Sequence, residues 1–165
     1  MTRHHHSVLK EGVVAGLLGA VAVALWFLLL DLINGRPLLT PSVLGQVLLL
    51  GRTVPETGTI HAGAVALYTV FHLTAFILFA MVVVKLVHLA INVAAVRFGL
   101  VMLFVVFEVF FVAFTYIFFA STRELFPWHA TLIANTVAAL VMAMYLWHRH
   151  PSLKRALRTH TLGVD

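Results

Sequence analysis

The chain has 165 residues, of which 62% are hydrophobic and only 10% charged, with a mean hydropathy of +1.03. An ordinary soluble domain is roughly 45–50% apolar and about 25% charged, so this composition leaves too few polar residues to cover a water-facing surface and excludes that class. The net charge of +5 comes from basic residues flanking apolar runs, which fits lipid head groups and topology and offers no basic, aromatic-interleaved face for nucleic acid.

There are no cysteines, which removes disulfides, iron–sulfur clusters and thiolate metal sites. The first apolar run follows Lys10 and ends in Asp31-Leu32-Ile33-Asn34-Gly35 without a small-x-small cleavage site. It reads as a retained anchor, not a removable signal peptide.

Span one is expected over about residues 12–32. Gly12, Gly16 and Ala20 step by four, with Gly19 beside them. Such a ridge of small residues lets another helix approach closely in lipid, or makes a groove for a flat cofactor. Asn34-Gly35 signals a turn, and Thr40-Pro41 places a cap residue before a first-turn proline. The apolar stretch that follows is too short to span, so residues 41–50 predict a short interfacial or re-entrant helix.

Span two is expected over about 60–88, with Tyr68 and His72 four apart on one face. Residues 89–97 read as a short connection. Span three, about 98–120, carries phenylalanines nearly all round and one acid, Glu108, near its middle. A carboxylate in hydrocarbon costs about 2.5–3.5 kcal/mol on insertion scales, so it must be neutral, paired or facing a cavity. Span four covers about 128–147, with Trp128, Tyr145 and Trp147 as interfacial anchors. Residues 148–165 form a basic tail. The fold class predicted is all-α: one integral membrane four-helix bundle with a short interfacial helix in the first outer loop.

Arg3, Lys10, Lys85, Arg97, Arg149, Lys154, Arg155 and Arg158 fall on one side of this arrangement; Arg36, Arg52 and Arg123 fall on the other. Eight against three puts both termini in the cytoplasm.

Helical rise places Glu108 ~18 Å, His72 ~13 Å and Asn135 roughly 11 Å below the outer ends of their spans. Tyr68, Thr115 and Thr131 lie above them, and Asp31 and His129 sit near the mouth. The inner half has almost no matching polar groups in this reading. A one-sided polar layer predicts a cavity open to the outside that serves a small ligand, a proton or a metal held by His72 and Glu108. The alternative is purely structural hydrogen bonding across the bundle, worth about 0.6 kcal/mol per contact. His72 has no second histidine at its level for haem, and no Glu-x-x-His pair exists for a di-metal site. Phosphate loops, Gly-x-Ser-x-Gly and His-Glu-x-x-His are absent from the sequence.

The stretch Asp31-Leu32-Ile33-Asn34-Gly35-Arg36-Pro37-Leu38-Leu39-Thr40-Pro41-Ser42-Val43-Leu44-Gly45 and the run Tyr145-Leu146-Trp147-His148-Arg149-His150-Pro151 resemble segments of small, uncharacterised bacterial four-span proteins. That resemblance implies a bacterial inner-membrane protein and no particular chemistry, and it assigns no cofactor. Two functions are therefore expected. One is a non-catalytic accessory subunit or small-ligand binder, with lipid and other membrane subunits or a second copy as partners and no nucleic acid. The other is a membrane enzyme or transporter using Glu108 and His72.

Overall fold

The computed structural model describes residues 8–119 and 125–150. Five helices follow one another: α1 (Val8–Ile33), α2 (Leu39–Leu48), α3 (Ala62–Asn92), α4 (Ala94–Phe118) and α5 (Trp128–Arg149). The described residues contain no strand. Four of the helices, all but α2, are long and apolar enough to cross a membrane. The chain is an all-α, multi-pass membrane bundle.

The core is made by α1, α3 and α5. The small residues of α1 set its geometry. A Cβ added at Gly16 would stand 2.5 Å from Ile77 Cα and 2.8 Å from the Phe76 carbonyl oxygen, so the two backbones touch. At Gly12 the neighbour is again α3, with Met81 Cγ 2.6 Å from the ideal Cβ. Gly19 looks elsewhere, toward Met142 of α5 and the Phe76 ring. Ala15 and Ala20 between them are fully buried. Where lipid is as apolar as the side chains, such close backbone contact is what holds helices together.

Helix α2 packs into the end of this core where α3 begins. Gly45 abuts the Ala64 carbonyl at the start of α3. Leu39 and Val43 are buried with Phe119 and Phe126. Its N-terminus is capped from a distance. The Asp31 carboxylate accepts 2.8 Å hydrogen bonds from the Thr40 backbone N–H and from the Thr40 hydroxyl. Thr40 is therefore not the cap that its place before Pro41 suggests. The helix starts earlier, at Leu39, because Leu38 takes a left-handed conformation (φ 65°) and Asp31 supplies the acceptor.

The loop after α2 is tied down by a buried glutamine. Gln46 accepts from the Glu56 backbone N–H (2.9 Å) and donates to the Glu56 carbonyl (3.1 Å). The Ser42 hydroxyl accepts from the His61 N–H at 3.0 Å, just before α3 begins. At the surface, His61 and Arg52 flank the Glu56 carboxylate and hold it below the usual glutamate range.

Helix α4 lies at the edge. It packs on α3 and α5 without an extended contact to α1. Only 6% of its apolar window is buried, against 28% for α1 and 39% for α5. The expected connection at residues 89–97 is absent. Helix α3 runs on to Asn92, and Val93 alone breaks the path in an extended conformation (φ −124°, ψ 108°) before α4 starts at Ala94. No glycine or proline interrupts Leu89–Arg97, so helix extends on both sides of that single break.

The glycine contacts make a contrast that can be measured. Gly16→Leu must force α1 and α3 apart and should cost at least about 1–3 kcal/mol, as overpacking does. Gly63→Leu has nothing within 4 Å of the new Cβ and should leave detergent melting unchanged. Equal melting temperatures for the two variants would show that α1 does not sit on α3 through this face.

Candidate functional site

The N-terminal half of α3 presents Tyr68, His72 and Phe76 at four-residue steps on one face. The His72 ring stacks on Tyr68 (centroids 5.5 Å) and tilts against Phe76 (4.8 Å). Its Nε2 lies 3.2 Å from the Ala20 carbonyl oxygen of α1. A carbonyl only accepts, so this bond requires Nε2 to carry the hydrogen. The approach is possible because Ala20 is small and fully buried.

From the other side, α5 contributes Thr131 and Asn135, both buried. The Asn135 amide donates to Glu108 Oε2 of α4 at 3.3 Å. Glu108 is 8% exposed, and its other oxygen makes no hydrogen bond among the described residues. Trp26 Nε1 donates to the Ala130 carbonyl at 3.0 Å and fastens α1 to α5 beside this layer.

These groups border a cavity of about 290 Å³. Tyr68, His72, Thr131 and Asn135 are its polar lining, and ten of the chain's thirteen phenylalanines form most of the rest. Leu44 and Leu48 bring α2 into the wall. A second cavity of about 400 Å³ adjoins it toward the other end of the bundle. The two share Phe76, Phe79, Phe107 and Asn135, so they form one cleft between α4 and the α3–α5 pair.

The structure thus sets Tyr68, His72, Thr131 and Asn135 around one space and attaches Glu108 to it through Asn135. No bond joins His72 to Glu108 among the described residues; each is engaged with a different helix. Asp31 and His129 line a neighbouring cavity of about 230 Å³, which meets the first at Phe27 and Phe126. There Asp31 is already committed to capping α2. The side chain of Thr115 lies outside the described residues, as do Arg123, Glu124 and the tail beyond His150.

The sequence reading of an inner half without matching polar groups is corrected. Glu11, His88 and His150 meet at the end of the bundle where α1 begins and α3 and α5 finish. His150 Nε2 is 3.0 Å and His88 Nε2 3.3 Å from Glu11 Oε2. Glu11 and His150 are buried, and His88 is partly buried. No local motif marks these residues, which are 77 and 62 positions apart. The available signal was positional, because the three lie at matching ends of their spans. The same depth counting that aligned His72 with Asn135 would have aligned them.

The chain matches no protein-family model, no curated protein and no solved structure. Function must be read from the two polar clusters and the cleft.

The Glu108–Asn135 pair gives a direct test of the outer cluster. Glu108→Gln keeps an acceptor for the Asn135 amide and should melt close to the parent. Glu108→Leu strands that amide in a buried site, at a cost of about 1–3 kcal/mol. Thermal unfolding in detergent should separate the two variants; a Leu variant as stable as the Gln variant would mean that the bond carries no weight.

Proposed function

We propose that this protein is a non-catalytic membrane protein that binds a small, largely apolar ligand in the cleft between α4 and the α3–α5 pair. The observation that carries the reading is the lining. A wall dominated by phenylalanine suits a flat ring system or a flexible hydrocarbon chain, held by stacking and burial. Four polar side chains at one end suit a single hydrogen-bonding head group. The two volumes, about 290 and 400 Å³, are of the size of small-molecule sites, roughly 300–1,000 Å³. A lipid-soluble molecule with a carbonyl or hydroxyl head, of quinone or isoprenoid-alcohol type, meets these requirements.

The His72 bond to Ala20 and the Glu108 bond to Asn135 favour positioning over catalysis. Each group already serves to hold two helices together, and among the described residues neither is paired with a nucleophile or base. The weakly buried α4 also offers a long apolar face, with Val105, Val106 and Val109 exposed, that suits an accessory subunit seated against another membrane chain or a second copy. The excess of Lys and Arg at the termini and around the α3–α4 junction supports cytoplasmic termini. The resemblance at residues 31–45 and 145–151 supports a bacterial inner membrane.

Ala75 lines the cleft, and a larger side chain there fills space without removing a polar group. The parent, purified in mild detergent, should yield a lipid-soluble compound on solvent extraction and mass spectrometry. Ala75→Phe should fold and carry only background amounts of it. Thr131→Val should weaken retention by removing one head-group partner. A parent that yields nothing beyond bulk membrane lipid, or an Ala75→Phe variant that retains the compound, would contradict the reading.

A further inference from the structure

Glu11, His88 and His150 come from three separate elements. Glu11 lies in the first turn of α1, His88 in the last turns of α3, and His150 just past the end of α5. Helix α1 runs opposite to α3 and α5, so these ends meet. The tight contact of Gly12 with Met81 draws the start of α1 onto α3 and brings the Glu11 carboxylate with it. Glu11 is 1% and His150 4% exposed.

Two features distinguish this cluster from a simple buried ion pair. Both imidazole Nε2 atoms converge on the same carboxylate oxygen, at 3.0 and 3.3 Å, and all three candidate ligand atoms lie within 4.8 Å of one another. The rings meet edge to face, with centroids 4.9 Å apart. Second, His88 Nε2 is buried and lies 3.3 Å from Glu11 Oε2, yet it makes no hydrogen bond among the described residues. A buried nitrogen beside a carboxylate with no hydrogen bond of its own is available to a ligand that both could share. Four ligands around a tetrahedral ion at about 2.0–2.1 Å stand about 3.3 Å apart. The two nitrogen–oxygen spacings, 3.0 and 3.3 Å, lie within tenths of an ångström of that.

We propose that Glu11, His88 and His150 form a binding site for a divalent first-row transition-metal ion, of which Zn²⁺ is the type. Imidazole nitrogen with one carboxylate suits zinc, ferrous iron or nickel, whereas Mg²⁺ and Ca²⁺ ask for shells of oxygen. Three protein ligands leave a fourth position for water or another group, the pattern of an open site. His88, with its side chain 29% exposed, is the face through which an ion enters. The ion would tie the ends of α1, α3 and α5, so binding should raise stability.

The test uses the full chain in detergent after treatment with a chelator, with Zn²⁺ and Co²⁺ as probes. One Zn²⁺ per chain should bind, the melting temperature should rise with it, and Co²⁺ should show the intense visible bands of a four- or five-coordinate site. His88→Gln alters the most exposed of the three ligands and should fold. It should weaken Zn²⁺ binding by more than about tenfold, the lower end of what even an outer-shell loss costs. His150→Gln should do the same. The chain also carries His4, His5 and His6, so a variant with all three changed to Ala is the control and should bind as the parent does. Parent affinity equal to that of His88→Gln, binding lost with His4–His6, or a Co²⁺ spectrum of the hydrated ion would each overturn the proposal.

Discussion

The contact that the rest of the structure depends on is the glycine face of α1 against the backbone of α3. In a bilayer no hydrophobic gain drives helix onto helix, because lipid tails are as apolar as leucine. What remains is dispersion at close range and a few polar bonds. Gly16 lets the α1 backbone meet Ile77 and Phe76, and Gly45 does the same for α2 at Ala64. Once α1 and α3 are this close, Ala20 can offer its carbonyl to His72. At the other end the same approach delivers Glu11 to His88 and His150.

The counterpart of a tight three-helix core is a loosely held fourth helix. Phenylalanines surround α4, and bulky rings cannot bring backbones together as glycines do. Its packing on α3 and α5 passes through ring contacts such as Phe79–Phe107 at 4.8 Å, and space is left between them. Glu108–Asn135 is a polar bond that ties α4 to α5. The cleft and its polar end thus follow from the distribution of small and large residues among the spans.

Much of this was legible in the sequence. Hydropathy alone marks four spans, and Pro127 marks the start of α5 at Trp128. The ridge on span one shows that a helix packs there, but small residues do not name their partner, and Gly19 turns to α5 while Gly12 and Gly16 turn to α3. Depth counting put His72 and Asn135 at one level, and they border one cavity. It could not show rotation about the helix axis, which directs Asp31 to the N-terminus of α2 and sets His129 with it in the neighbouring cavity. Glu11 was hidden for another reason. Beside Lys10 it reads as a solvated flank, and its partners lie far along the chain at the matching ends of two other spans.

Because the chain has no native cysteine, helix neighbours can be read by paired cysteines in native membranes. Ala15 and Ala80 are both fully buried in one cluster with Met142, whereas Val105 of α4 is exposed. Under a mild oxidant, Ala15→Cys with Ala80→Cys should cross-link α1 to α3 rapidly and nearly completely, and Ala15→Cys with Val105→Cys should not. Efficient linkage of the α1–α4 pair, or failure of the α1–α3 pair, would contradict a core built on the glycine face of α1 with α4 outside it.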